Sequence, residues 1–75
     1  MTGDVRGRDV VVLGLGQTGL SLVRWLTSHG ARVRVADTRH APPGASALHE
    51  ALPGVRLESG PFVASTFDGA EMIAI

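Results

Sequence analysis

The sequence predicts an α/β fold, a Rossmann-like parallel sheet with flanking helices that is truncated after about four strands. Three observations predict it. Val10-Val11-Val12-Leu13 is an unbroken apolar run of the kind carried by a parallel strand buried on both faces. Directly after it comes Gly14-Leu15-Gly16-Gln17-Thr18-Gly19, followed by apolar residues at helical spacing. Beyond these, strand-like and helix-like segments alternate, separated by Gly and Pro.

Residues 1 to 8 read as a polar lead-in broken by Gly3 and Gly7, and the first strand spans about Asp9 to Leu13. The first helix runs from about Thr18 to Ser28. Leu22, Val23 and Leu26 form its apolar face with Gly19 and Gly30 on the same side, whereas Arg24, Thr27 and His29 take the other. Gly30 ends it, because a left-handed position after a helix costs glycine little. In the second strand, about Arg32 to Ala36, Val33 and Val35 alternate with Arg32 and Arg34, which predicts one exposed face, and Asp37 closes it. Pro42-Pro43-Gly44 then interrupts regular structure. Ser46 to Leu52 makes a short helix with Leu48, Ala51 and Leu52 as apolar contacts, and Pro53-Gly54 ends it. Val55 to Glu58 reads as a third strand, Ser59-Gly60-Pro61 as a turn, Val63 to Phe67 as a helical turn, and Met72 to Ile75 as a fourth strand. An apolar interior strand is ordinarily followed by a crossover and further strands, so the chain reads as the N-terminal piece of a longer protein.

Composition removes several classes of function. The 75 residues make one small domain, residues 1–75, of a size that buries only about 60–65% of its unfolded surface. There is no cysteine for a disulfide or thiolate metal site, and His29, His40 and His49 are scattered without metal-ligand spacing. Seven arginines balance seven acids without a like-charge block, which predicts neither a nucleic-acid nor a membrane surface. No apolar stretch is long enough to span a bilayer, and the N-terminus lacks the pattern of a signal peptide, so a cytoplasmic location is expected.

The glycine run carries the chemistry. Gly14 permits a tight turn, Gly16 lets the backbone approach a pyrophosphate without a Cβ in the way, and Gly19 lets the helix pack on the strand. The helix start then aims backbone N–H groups at an anion, a contribution of about 0.3–2 kcal/mol that positions a ligand more than it binds it. Asp37 lies eighteen residues after Gly19, where dinucleotide-binding folds place the carboxylate that accepts from ribose hydroxyls. Each residue also has a plainer reading. The loop serves equally as a strand-to-helix turn, Asp37 as the cap of the following turn, Thr18 as a helix N-cap and Arg39 as a solvated arginine. Trp25 is expected to pack at the helix flank, the histidines to face solvent, and Phe62 and Phe67 to cover the sheet edge.

The run from Val10 to Ser21 and the later Asp37-Thr38-Arg39-His40-Ala41-Pro42-Pro43-Gly44 occur together. That combination closely resembles the N-terminus of the Mur ligases that add D-glutamate to UDP-N-acetylmuramoyl-L-alanine in peptidoglycan synthesis. The resemblance is strong over about residues 8 to 44 and weaker beyond. It implies that Gly14, Gly16, Gln17, Thr18 and Gly19 hold the diphosphate of the UDP moiety, while Asp37, Thr38 and Arg39 hold its uridine end. Position 17, often apolar in that family, is Gln here. The resemblance further implies ATP and Mg2+ for the parent enzyme, an acyl-phosphate intermediate, and central and C-terminal domains absent from these residues. The fragment has no lysine and no Gly-Lys-[Ser/Thr] sequence, so no cofactor and no catalytic residue are assigned within it. Two other readings stay open: the first half of an NAD(P)-binding oxidoreductase domain, and a non-catalytic nucleotide-sensing module.

Overall fold

A computed structural model describes residues 5–74. Strand β1 (Asp9–Leu13) leads into helix α1 (Gln17–Ser28), followed by β2 (Arg32–Asp37), α2 (Ala45–Ala51), β3 (Arg56–Ser59), a 3-10 turn (Ala64–Phe67) and β4 (Met72–Ala74). All strands pair in parallel in the order β3-β2-β1-β4. This is the α/β sheet that the apolar runs predict. Gly3 of the lead-in and Ile75 of the fourth strand lie outside the described residues.

Register follows from which side chains must be buried. Val10 and Val12 pair with Val33 and Val35 on β2 and with Met72 and Ala74 on β4. Val10, Val12 and Val35 then pack with Val23 and Leu26 of α1, Leu48 of α2, and Leu15 in one core. Val5 belongs to that core as well. The described part of the lead-in is therefore not the wholly polar segment expected: an N–H from Gly7 to the carbonyl of Gly30, at 2.9 Å, ties it to the end of α1.

That helix stops where Gly30 turns left-handed at φ +86°. The N–H of Gly30 donates to Thr27 O and that of Ala31 to Leu26 O, both at 3.1 Å, which satisfies the last carbonyls in a Schellman arrangement. At the other end, α2 is displaced by about one residue from its expected span, and Ala51, expected to be an apolar contact, is exposed while Leu48 is buried.

The opposite sheet face carries Val11, Arg34 and Ala36, and the 3-10 segment lies over it. Arg34 was expected on an exposed face. It is half-buried instead, its Nη2 donating to the carbonyl of Thr66 at 3.2 Å and to that of Asp68. At the N-terminal ends of the strands, Arg32 grips Asp9 through two bonds of 2.9 Å, and Arg8 reaches Glu71 at 3.2 Å. These pairs are exposed, so they fix strand ends with little net stabilisation.

Candidate functional site

The strand order reverses at β1, whose neighbours are β2 on one side and β4 on the other. A crevice beyond the carboxyl ends of such strands is where open α/β sheets take ligands, and the glycine run sits at that end of β1. Gly14 continues the ladder with its N–H on Ala36 O at 2.9 Å, then turns at φ +91°. Leu15 follows with its side chain fully buried, and Gly16 caps α1 in an extended conformation. Having no side chain, that cap offers the first-turn amides no side-chain acceptor.

The three glycines differ in their surroundings. A Cβ on Gly16 would meet nothing within 4 Å, so the backbone there borders open space. On Gly19 it would overlap the carbonyl oxygen of Gly14, so helix and loop touch without room for a side chain. Thr18 is the second helical residue and exposed, so it does not act as the N-cap. The helix starts earlier because the turn at Gly14 is completed by Leu15 and Gly16 alone.

Asp37 terminates β2 beside this loop and is 3% exposed. Its Oδ2 accepts the N–H of Leu15 at 2.8 Å and an Nη2 hydrogen of Arg39 at 2.6 Å. Its Oδ1 accepts the backbone N–H of Arg39 at 2.8 Å and its Nε–H at 2.9 Å. The Arg39 guanidinium is the main reason the carboxyl is held well below the usual carboxylate range. Burial opposes that shift, and the backbone bonds from Leu15 and Arg39 reinforce it. Arg39 is raised in turn by the same pairing. Asp37 therefore does cap the turn that follows it, and it does more, since it reaches across to the glycine loop.

Arg39 is half exposed and lines a cavity of about 270 Å³ together with Gly14, Gly16, Gln17, Thr18 and Gly19. Six of the eight residues singled out in the sequence thus border one space. Thr38 is exposed at the strand end and Asp37 is buried; neither borders that space, and Asp37 is joined to it through its bonds to Arg39. An open depression of about 440 Å³ adjoins along α1, lined by Gln17, Thr18, Leu20, Ser21 and Arg24. On the opposite sheet face a second cavity of about 270 Å³ lies among Arg34, Arg56, Glu58 and Thr66, and none of the eight residues borders it. Among the described residues no cluster of His, Cys, Asp and Glu is arranged to hold a metal ion, and no helix is long and apolar enough to cross a membrane.

Sequence reasoning missed two members of the loop's frame. Leu15 contributes through its backbone: its N–H goes to Asp37, and its carbonyl accepts the N–H of Gly44 at 2.9 Å. A Cβ on Gly44 would come within 2.9 Å of that carbonyl oxygen, so the glycine of Pro42-Pro43-Gly44 permits contact as well as breaking regular structure. The motif itself was the available signal. Trp25, expected to pack at the helix flank, is 49% exposed and stacks on the His29 ring with centroids 4.1 Å apart. The two are one helical turn apart on the solvent side, which explains the pairing. His29, His40 and His49 are all exposed, and Phe62 and Phe67 meet edge to face at 5.7 Å.

Residues 8–75 match the profile of the family described as Mur ligase MurD-like, N-terminal domain. Among curated relatives, the chain is 56% identical over 69 residues, 92% of its length, to a UDP-N-acetylmuramoylalanine--D-glutamate ligase of Thiobacillus denitrificans. It is 49% identical over 69 residues, again 92% of its length, to the protein so named in Methylobacillus flagellatus. Over all 75 residues it is 47% identical to that of Ralstonia nicotianae. In each case the chain spans about 15% of the relative's own length.

Proposed function

The chain belongs to the Mur ligase MurD-like N-terminal domain family, and from that premise we propose that it holds the UDP moiety of UDP-N-acetylmuramoyl-L-alanine for an ATP-dependent ligase that adds D-glutamate. The observation that carries the reading is the cavity shared by the glycine loop, the start of α1 and the Arg39 guanidinium. Backbone amides at a helix start and a planar cation on one space are the donors that a diphosphate requires. A cavity of about 270 Å³ falls just below the ~300–1,000 Å³ range typical of ligand pockets, so it takes part of a sugar nucleotide and leaves the rest to the open depression beside it.

In this reading Gly14, Gly16, Gln17, Thr18 and Gly19 surround the diphosphate, with the Thr18 hydroxyl as an added donor. Asp37, Thr38 and Arg39 form the uridine end, from which the Arg39 guanidinium reaches toward the diphosphate across the shared cavity. In this reading the amide-forming chemistry, with its ATP and Mg2+, belongs to the remainder of the parent protein, because the chain has no lysine to serve a phosphate loop. The proposed location is cytoplasmic, with no nucleic-acid or membrane partner.

The oxidoreductase alternative asks the strand-end carboxylate to accept ribose hydroxyls. Here its oxygens are already engaged by Leu15 and Arg39, which leaves little acceptor capacity for that role. The test is calorimetric titration of the intact parent protein with UDP-N-acetylmuramoyl-L-alanine and with NAD. Saturable binding of the first alone is expected, and binding of NAD alone would overturn the proposal.

A further inference from the structure

Asp37 stands at the nucleoside end of the proposed site, yet its bonds lead to the phosphate end. Of its four hydrogen bonds, three go to Arg39 and one to the N–H of Leu15, the residue between the two glycines that border the cavity. Leu15 has no freedom of its own. Its side chain is fully buried, and Gly44 holds its carbonyl. The Gly14–Leu15 peptide is thus oriented by Asp37 and the Leu15–Gly16 peptide by Gly44. Turning either peptide re-aims the amides that begin α1.

On the other side, the carboxylate takes the Nε and one Nη2 hydrogen of Arg39, which sets the guanidinium plane and leaves its remaining hydrogens for the cavity. With 3% exposure, Asp37 has little surface to offer a ligand directly. We infer that Asp37 is a positioning residue for the glycine loop: by joining the Leu15 amide to the Arg39 guanidinium, its carboxylate sets both the backbone and the cation that a diphosphate meets. The inference rests on the UDP-binding reading above and assigns to Asp37 a role at the opposite end from the one its position implies.

The test compares UDP with inorganic pyrophosphate, which lacks the nucleoside, in the intact parent protein. Pyrophosphate is measured by its displacement of UDP. Asp37→Asn is isosteric but cannot accept four hydrogen bonds. It is expected to weaken UDP and pyrophosphate by a similar factor of about tenfold or more, the loss of one charge-assisted bond. Combined with Arg39→Gln, it should add less than it costs alone. Hydrogen exchange at the Leu15 amide should accelerate while exchange in β1 and β2 stays unchanged. A second variant, Arg39→Lys, keeps the charge but not the fork, so it should weaken pyrophosphate as well.

Loss of UDP affinity with pyrophosphate unchanged would overturn the inference, because Asp37 would then serve the nucleoside alone. So would unaltered Leu15 exchange, or wild-type protein from which pyrophosphate cannot displace UDP. Those results leave the UDP reading standing. Wild-type protein that binds no UDP ends that reading and the inference with it.

Discussion

The carboxylate of Asp37 accepts the backbone N–H of Leu15 at 2.8 Å across twenty-two positions of sequence. The bond joins the end of β2 to the turn that leaves β1, so two loops adjacent in the sheet act as one unit. Both partners are buried, which shields the contact from water.

A pH dependence follows from the charge on Asp37. In the folded chain the Arg39 guanidinium, helped by two backbone N–H groups and opposed by burial, holds this carboxyl well below its unfolded value of about 3.9. Between those two values the unfolded chain binds more protons than the folded one, so acid favours unfolding. The stabilisation is complete above about pH 4 and is lost progressively as pH falls toward the folded value. Asp37→Asn has no such proton to bind. The difference in urea midpoint between wild type and Asp37→Asn is therefore expected to be largest near pH 7 and to shrink below about pH 4. A difference independent of pH would show that the carboxylate contributes no charge-dependent stability.

Gly16 and Gly19 look alike in the motif but should respond oppositely to alanine. At Gly16 a methyl group enters open space, and its extended backbone suits any residue, so Gly16→Ala should leave stability within about 0.5 kcal/mol of wild type. If phosphate approaches there, the same methyl group obstructs it, and UDP affinity should fall about tenfold. At Gly19 the methyl group meets the carbonyl of Gly14, a residue whose N–H is bonded to Ala36 of the sheet, so helix or loop must shift at a cost of about 1–3 kcal/mol. Thermal melts and UDP titrations of the two variants separate these effects. Equal loss of stability in both would contradict the assignment of Gly16 to ligand approach.

Most of the sheet was legible in the sequence because its signals are local. Val10 to Leu13 announces a buried strand, and Gly30 announces a helix end whatever surrounds them. Boundaries moved where tertiary contacts decide them: α1 starts at Gln17 because Gly16, held between Leu15 and the helix, is the cap. Six of the eight residues that the sequence singles out border one space, so their grouping was legible as well. The direction of each was not. Nothing local tells Asp37 to turn inward toward Leu15, since that amide is brought to it only by pairing of β1 with β2. Arg34 turned toward the 3-10 segment for the same reason, its partner Thr66 lying 32 positions away, and Val5 joined a core assembled from two strands and both helices.

Thr66 ties that 3-10 segment to the sheet. It is 2% exposed, accepts the N–H of Val63 at 2.9 Å, and donates to Glu58 Oε2 at 2.6 Å, while its carbonyl accepts from Arg34. Thr66→Val keeps the shape and removes the hydroxyl, taking an acceptor from Val63 and a donor from Glu58. The expected loss is about 1–3 kcal/mol, against less than about 1 kcal/mol for Thr66→Ser, which keeps both bonds. Because the segment leads into β4, hydrogen exchange should rise first in Val11 and Ile73, paired between β1 and β4, and later in the β1–β2 ladder. The glycine loop is held by Asp37 and Gly44, independently of that segment, so UDP affinity of the folded Thr66→Val protein should match wild type. Equal stability of the valine and serine variants would mean that the Thr66 hydroxyl does not hold the segment.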